Sequence, residues 1–191
     1  QDVYAKDIDG DGDMDVLSAS SIDNKIAWYE NDGGENFTEQ IISTSALGAN
    51  SVYSIDLDGD GDMDVLSANY GSSGNVSTDG RVLWYENDGG ENFTEQIIST
   101  SADGAYSVDV KDMDGDGDLD VLSALFIDDK IVWYENDGDE IFTENIITNS
   151  DGPQGTYAVD MDGDGDMDIV SAIRYRHRIF WFENTMNTDG N

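Results

Sequence analysis

One phrase of 13 residues occurs four times in this chain, and that repetition limits the possible folds more than any other feature. It reads DIDGDGDMDVLSA from Asp7, DLDGDGDMDVLSA from Asp56, DMDGDGDLDVLSA from Asp112 and DMDGDGDMDIVSA from Asp160. A second phrase follows each copy: KIAWYEND from Lys25, RVLWYEND from Arg81, KIVWYEND from Lys130 and RIFWFEN from Arg178. Three copies add a third, FTEQIIST from Phe37 and Phe93 and FTENIIT from Phe142. The period is about 50 residues and divides the 191 into repeats at about 1–49, 50–105, 106–153 and 154–191.

Every apolar segment is short, rich in β-branched or aromatic residues, and bounded by Gly, Asn, Asp or Ser, which are strand and turn signals. No stretch keeps a helical period. Each repeat therefore reads as four strands, which in repeat 2 are Val52 to Ile55, Val65 to Ala68, Val82 to Glu86 and Phe93 to Ile98. The turn-rich NDGG at Asn31 and Asn87 makes a hairpin between the third and fourth. The expected fold is all-β: a propeller of four-stranded antiparallel blades, with four repeats forming a single domain or propeller segment over 1–191. The last repeat ends after its third strand, Ile179 to Glu183, and continues as TMNTDGN. A blade of three strands is expected there, with an unpaired edge and a tendency to dimerise or swap through it. A chain that opens at Gln1 without Met or signal peptide is read as processed or excised from something longer.

The Asp-rich phrase has the chemistry of a calcium loop. In the first copy Asp7, Asp9 and Asp11 hold positions 1, 3 and 5, with Asp13 at 7 and Asp15 at 9. The others repeat this with Asp56, Asp58, Asp60, Asp62 and Asp64; with Asp112, Asp114, Asp116, Asp118 and Asp120; and with Asp160, Asp162, Asp164, Asp166 and Asp168. Ca²⁺ takes six to eight hard oxygens in a flexible shell, and alternate carboxylates on a tight turn converge on one point. Gly10 and Gly12 supply the positive φ that such a turn needs. Position 7 is expected to offer its backbone carbonyl. About one Ca²⁺ per repeat, four in all, is expected. A solvated acidic turn explains one such loop but not four. Mg²⁺ keeps its waters, and oxygen-only ligands disfavour zinc and copper. An EF-hand fails, because it needs Glu at position 12 and a following helix, whereas position 12 is Ser18, Ser67, Ser123 and Ser171 within strand-like runs.

Composition enters at this point. The formal charge is −35, with 43 acidic residues against 8 basic ones. A nucleic-acid partner is excluded, since phosphate binding needs a basic footprint. The same charge often marks disorder, but 4 Trp, 9 Tyr and 6 Phe recur at regular places. Without bound cations the chain repels itself. There is no cysteine, so no disulfide staples it. The longest apolar runs have strand length, so no membrane-inserted helix is expected.

The pattern DxDGDGxxD between two strands, recurring about every 50 residues, resembles the FG-GAP/VCBS repeats of integrin α subunits and many secreted bacterial proteins. The resemblance covers essentially the whole chain. It implies Ca²⁺ between the first and second strands of each blade, with partners on the opposite face. The FG and GAP tripeptides are missing, and VLSA stands where the GAP strand falls, nearer the bacterial branch. The resemblance names no ligand.

On the opposite face lie the loops between second and third strands, and three features gather there. The leading Asp and the Trp are 21 positions apart in repeats 1, 3 and 4 but 28 apart in repeat 2, an insertion within Asn69 to Gly80 that carries Tyr70. Neutral drift explains an insertion as well as function does. Repeat 4 holds Arg174, Tyr175, Arg176 and His177, read either as charge compensation or as a pocket for a uronate or sulfate. Lys25, Arg81, Lys130 and Arg178 recur three residues before each Trp, and pair with local carboxylates such as Asp23 and Asp129 if they do not form a collar. The Trp series is expected in the core. The leading functional reading is a non-enzymatic, secreted, lectin-like binding or adhesion module for carbohydrate or an extracellular protein, since millimolar extracellular calcium keeps such loops filled. A polysaccharide lyase or hydrolase, using Tyr175 or His177 with Arg174 or Arg176, is one alternative. A purely structural segment of a larger surface protein is the other.

Overall fold

The computed structural model describes residues 2–34, 36–72 and 78–185. The segment 73–77 of the repeat-2 insertion and the tail after Thr185 lie outside the described residues. Fifteen strands form four antiparallel sheets, each a simple meander. Sheet 1 holds β1 (Asp2–Lys6), β2 (Asp15–Ser20), β3 (Lys25–Asn31) and β4 (Phe37–Ser43). Sheet 2 holds β5 (Ala49–Ile55), β6 (Asp64–Asn69), β7 (Arg81–Asn87) and β8 (Phe93–Ser99). Sheet 3 holds β9 (Ala105–Lys111), β10 (Asp120–Leu125), β11 (Lys130–Asn136) and β12 (Phe142–Asn149). Among the described residues sheet 4 has three strands, β13 (Pro153–Val159), β14 (Asp168–Ile173) and β15 (Arg178–Phe182).

The repeats copy one another down to their irregularities. Leu66 faces Trp84, which faces Gln96, and Leu17–Trp28–Gln40 and Leu122–Trp133–Asn145 are the same rows. The register between third and fourth strands slips at one place in each full sheet, after Ile26, Val82 and Ile131. The sheets stack in chain order, with β1 against β5, β5 against β9 and β9 against β13. Each is buried on both faces where it has two neighbours, which is why β6 and β10 are buried at every position while β2, of nearly the same sequence, alternates.

Three separate cores lie between consecutive sheets. The first joins Ile8, Leu17, Ile26 and Trp28 of sheet 1 to Val52, Val65, Leu83 and Tyr85 of sheet 2. The second joins Leu57, Leu66, Val82 and Trp84 to Val108, Val121, Val132 and Tyr134. The third joins Met113, Leu122, Ile131 and Trp133 to Ala158, Ile169 and Phe180. Each Trp with a following sheet is therefore core, as its recurrence in an apolar strand indicated. Trp181, which no described residue covers in this way, is half exposed. Replacing Trp84 by Ala is expected to cost about 3–5 kcal/mol. Trp181→Ala is expected to cost less than about 1 kcal/mol. Urea denaturation of the two variants in calcium distinguishes them.

Candidate functional site

The four Asp loops are superimposable in their bonding. In loop 1 the Asp7 carboxylate accepts from the Gly10 and Gly12 amides at 2.9 and 3.1 Å, Asp9 from Asp11 N at 3.1 Å, and Asp11 from Asp13 N at 2.8 Å. Asp56, Asp112 and Asp160 repeat the double acceptance, and Asp58, Asp114 and Asp162 the turn after it. Gly10 and Gly12 have φ of 76° and 98°, and no atom lies near a Cβ built on either. Glycine is required there by conformation and not by crowding.

The ninth-position aspartate does something the others do not. Asp15, Asp64, Asp120 and Asp168 are fully buried as the first residue of each second strand. One Asp64 oxygen accepts from Leu57 N at 3.0 Å, inside the loop, and the other from Asn87 N at 2.8 Å, at the end of β7. The Asn87 side chain returns a bond to Met63 O at 3.2 Å. The same brace recurs through Asn31, Asn136 and Asn184. These asparagines, in the recurring WYEN or WFEN, escaped the sequence reading, although their invariance across the repeats was the signal.

Positions 1, 3 and 9 converge. Asp7, Asp9 and Asp15 each place a carboxylate oxygen within 4.8 Å of the others, as do Asp56, Asp58 and Asp64; Asp112, Asp114 and Asp120; and Asp160, Asp162 and Asp168. That separation is close to twice a Ca–O bond of about 2.3–2.6 Å, so one ion fits among them. The remaining predicted ligands are not brought into these triads. Asp11, Asp60, Asp116 and Asp164 cap the amide two residues on, at 2.8 to 3.0 Å. Asp13, Asp62 and Asp118 lean on Gly33, Gly89 and Gly138 of the next hairpin, while Asp166 has a buried oxygen with no hydrogen-bond partner.

Electrostatics favours a cation. Burial raises the pKa of Asp64 and Asp120 to about 6, against the lowering effect of the amides of Asn87 and Leu57, and of Asn136 and Met113. Burial, with neighbouring carboxylates adding to it, also raises Asp9, Asp58, Asp114 and Asp162, against one backbone amide each. A bound divalent ion reverses that balance and holds the carboxylates ionised.

The opposite rim is built on a different device. Gly48, Gly104 and Gly152 precede the first strands of sheets 2, 3 and 4 with φ of 67°, 72° and 65°. Their carbonyls accept from the amides of Tyr70, Phe126 and Arg174 at 3.1, 2.8 and 3.0 Å. A Cβ on Gly104 would lie 2.5 Å from Ile127 N, and one on Gly152 2.6 Å from the Tyr175 ring. The residue after the second strand is thus pinned at one height in sheets 2, 3 and 4, and the column, with Ser21 at the matching place in sheet 1, reads Ser21, Tyr70, Phe126, Arg174. Tyr106 joins it from the start of β9. Tyr70, Tyr106, Phe126 and Tyr175 form a continuous arc, with ring centroids 5.7 to 6.4 Å apart. The Arg174 guanidinium sits 5.7 Å from the Phe126 ring and 5.8 Å from Tyr175. Tyr70, Tyr106, Phe126 and Arg174 line an open cavity of about 660 Å³ whose other wall includes Asn24, Leu47 and Asn50.

The structure divides the basic cluster of repeat 4. Arg174 and Tyr175 belong to this arc, whereas Arg176 turns to Asp151 at 3.5 Å, with both groups exposed. His177 occupies a left-handed turn position with φ of 53°, matching Asn24 and Asp129. Of the four recurring cations, Lys25 pairs with Glu39 on β4 and more distantly with Asp23. Tyr106 and Phe126 were missed, because only the inserted and basic loops were searched. Aligning the residue after each second strand would have shown Phe126.

The chain matches the FG-GAP-like repeat over residues 7–67, 70–123 and 112–171, and it belongs to that family. No curated protein matches it. Among solved structures it is similar to the V. cholerae biofilm matrix protein Bap1, at 18% identity and a TM-score of 0.46. That match covers 95% of this chain and 30% of Bap1. No helix among the described residues is long and apolar enough to cross a membrane.

Two substitutions in sheet 2 separate metal binding from bracing. Asp58→Ala is expected to lower stability in calcium and leave it nearly unchanged in chelator. Asp64→Asn puts an amide donor against a backbone N–H, and is expected to cost about 1–3 kcal/mol even in chelator. Denaturation of both variants with and without calcium reads the difference.

Proposed function

We propose that this chain is a secreted, calcium-stabilised binding module, its sheets set as propeller blades, which holds an acidic carbohydrate on the face opposite the Asp loops. The observation that carries the reading is the aromatic arc with one guanidinium at its end. Four rings from three sheets lie in one run, in a chain whose exposed surface is otherwise dominated by carboxylates. The C–H face of a sugar ring is apolar and is covered well by aromatic faces, while its hydroxyls reach polar groups at the margin. Asn24 and Asn50 stand at that margin. Arg174 offers the forked donor that a uronate or sulfate needs.

Charge argues for calcium as a condition of this binding. Four divalent ions in the four triads take the formal charge from −35 to −27, and they act on the side where repulsion is densest. Millimolar calcium outside the cell keeps moderate-affinity loops filled, whereas cytosolic levels do not, which supports an extracellular site of action. The family supports the same reading. A protein ligand is the alternative occupant of the same rim, and a screen separates it from carbohydrate.

Neutral and acidic glycans are expected to divide, with acidic ones bound in calcium and lost in chelator. Arg174→Ala is expected to weaken binding about 10-fold or more, as loss of a hydrogen bond to a charged group implies. Phe126→Ala, which removes part of the apolar platform, is expected to weaken the acidic glycans as well. Binding untouched by either change, or no glycan bound at all, contradicts the proposal.

A further inference from the structure

The exposed large apolar side chains are not scattered. Ile41, Ile97 and Ile146 are exposed at matching places on β4, β8 and β12, so their exposure is common to every outer strand. Others break the repeat symmetry. Val3 is 70% exposed, although its counterparts Val52 and Val108 are 2% and 7% exposed. Met14 and Phe37 on the same face of sheet 1 are exposed, while Met63, Phe93, Leu119 and Phe142 pack on the cores. At the other end Ile179 is 74% and Trp181 48% exposed, although Ile26, Val82 and Ile131 are fully buried and Trp28 and Trp84 are 1% and 2% exposed. Met161 is exposed there too, whereas Ile8, Leu57 and Met113 at the same position are buried.

These residues form two faces of defined kind. At each internal junction one sheet gives the Ile–Trp face of its third strand and the apolar residue of its Asp loop. At the first two junctions the next sheet gives the Val of its first strand, the Met or Leu before its second strand and the Phe of its fourth; at the third it gives Ala158, Ile169 and Met167, with Phe180 and Phe182 of its third strand. Sheet 4 carries an uncovered face of the first kind and sheet 1 an uncovered face of the second. The two are the halves of an interface that the chain already makes in full at two junctions, and with a shortened second face at the third.

We propose that copies of this chain associate head to tail, the Ile179–Trp181 face of sheet 4 in one copy docking on the Val3–Met14–Phe37 face of sheet 1 in the next. The three internal junctions specify the occupant, since each shows what covers such a face. This is face-to-face packing, distinct from strand pairing along the β15 edge. The contact is heterologous, so it closes into a ring if the rotation allows and otherwise grows as an open array.

Sedimentation of the whole chain in millimolar calcium tests this. The unaltered chain is expected to show species of at least twice its mass at micromolar concentration, either closed or open. Trp181→Glu and Val3→Glu are each expected to give monomers. A mixture of the two variants is expected to form a one-to-one dimer, because one supplies an intact first face and the other an intact last face. Both side chains are exposed, so unchanged circular dichroism shows that the variants still fold. A monomeric unaltered chain overturns the proposal, because something other than a second copy then covers these faces. Self-association of Trp181→Glu alone, or a mixture that stays monomeric, overturns the head-to-tail arrangement in favour of edge pairing or a symmetric contact.

Discussion

The carboxylate at the ninth position of each Asp loop is the group on which the rest of the structure depends. Asp15, Asp64, Asp120 and Asp168 each begin a strand, lie fully buried, accept amides from two separate chain segments and present an oxygen to a triad of acidic groups. Loop, second strand and the end of the third strand are thereby joined at one atom group. A buried carboxylate is stable only when paired or bound to a metal, and the other members of each triad carry the same sign. A cation at that point offsets the repulsion and tightens the brace at once. A cation bound in a triad would act on the sheets through this residue, and not only on the loops that surround it.

Placing all four metal loops on one side leaves the other side free to vary. In sheets 2, 3 and 4 the rim there is held by glycine carbonyls that accept the amide after the second strand, so backbone height is constant while the side chain changes. Ser21, Tyr70, Phe126 and Arg174 occupy equivalent positions with unlike chemistry. Repetition supplies the frame, and a single column of unlike residues supplies the surface on which the proposed recognition rests. The same economy acts along the stack, where every junction uses one pair of faces and the end sheets each leave half of that pair open.

Much of this was legible in the sequence. Strands such as Val52 to Ile55 and Val82 to Glu86 fall within β5 and β7, because turn residues bound them tightly. The Trp series belonged in the core because it recurs among apolar neighbours, and Trp181 departs from this only for want of a covering sheet. Four carboxylates and the position-7 carbonyl were expected around each ion, and the carboxylates of positions 1, 3 and 9 converge. Alternation along the chain cannot show that the fifth-position carboxyl caps the amide two residues later, nor that the seventh leans on the next hairpin. The arc of Tyr70, Tyr106, Phe126 and Tyr175 was only partly visible. Its members come from three repeats, and nothing in their separate loops states that they meet. The sequence also suggested strand pairing at the β15 edge, where the exposed residues form a face.

Titration of the metal-free chain with calcium, followed by calorimetry and by the melting temperature, tests the central claim most directly. Four equivalents are expected to bind. Each site saturated a hundredfold above its dissociation constant adds about 2.7 kcal/mol, so the melting temperature rises steeply with added calcium and collapses in excess chelator. A chain that melts at the same temperature in calcium and in chelator would contradict the account.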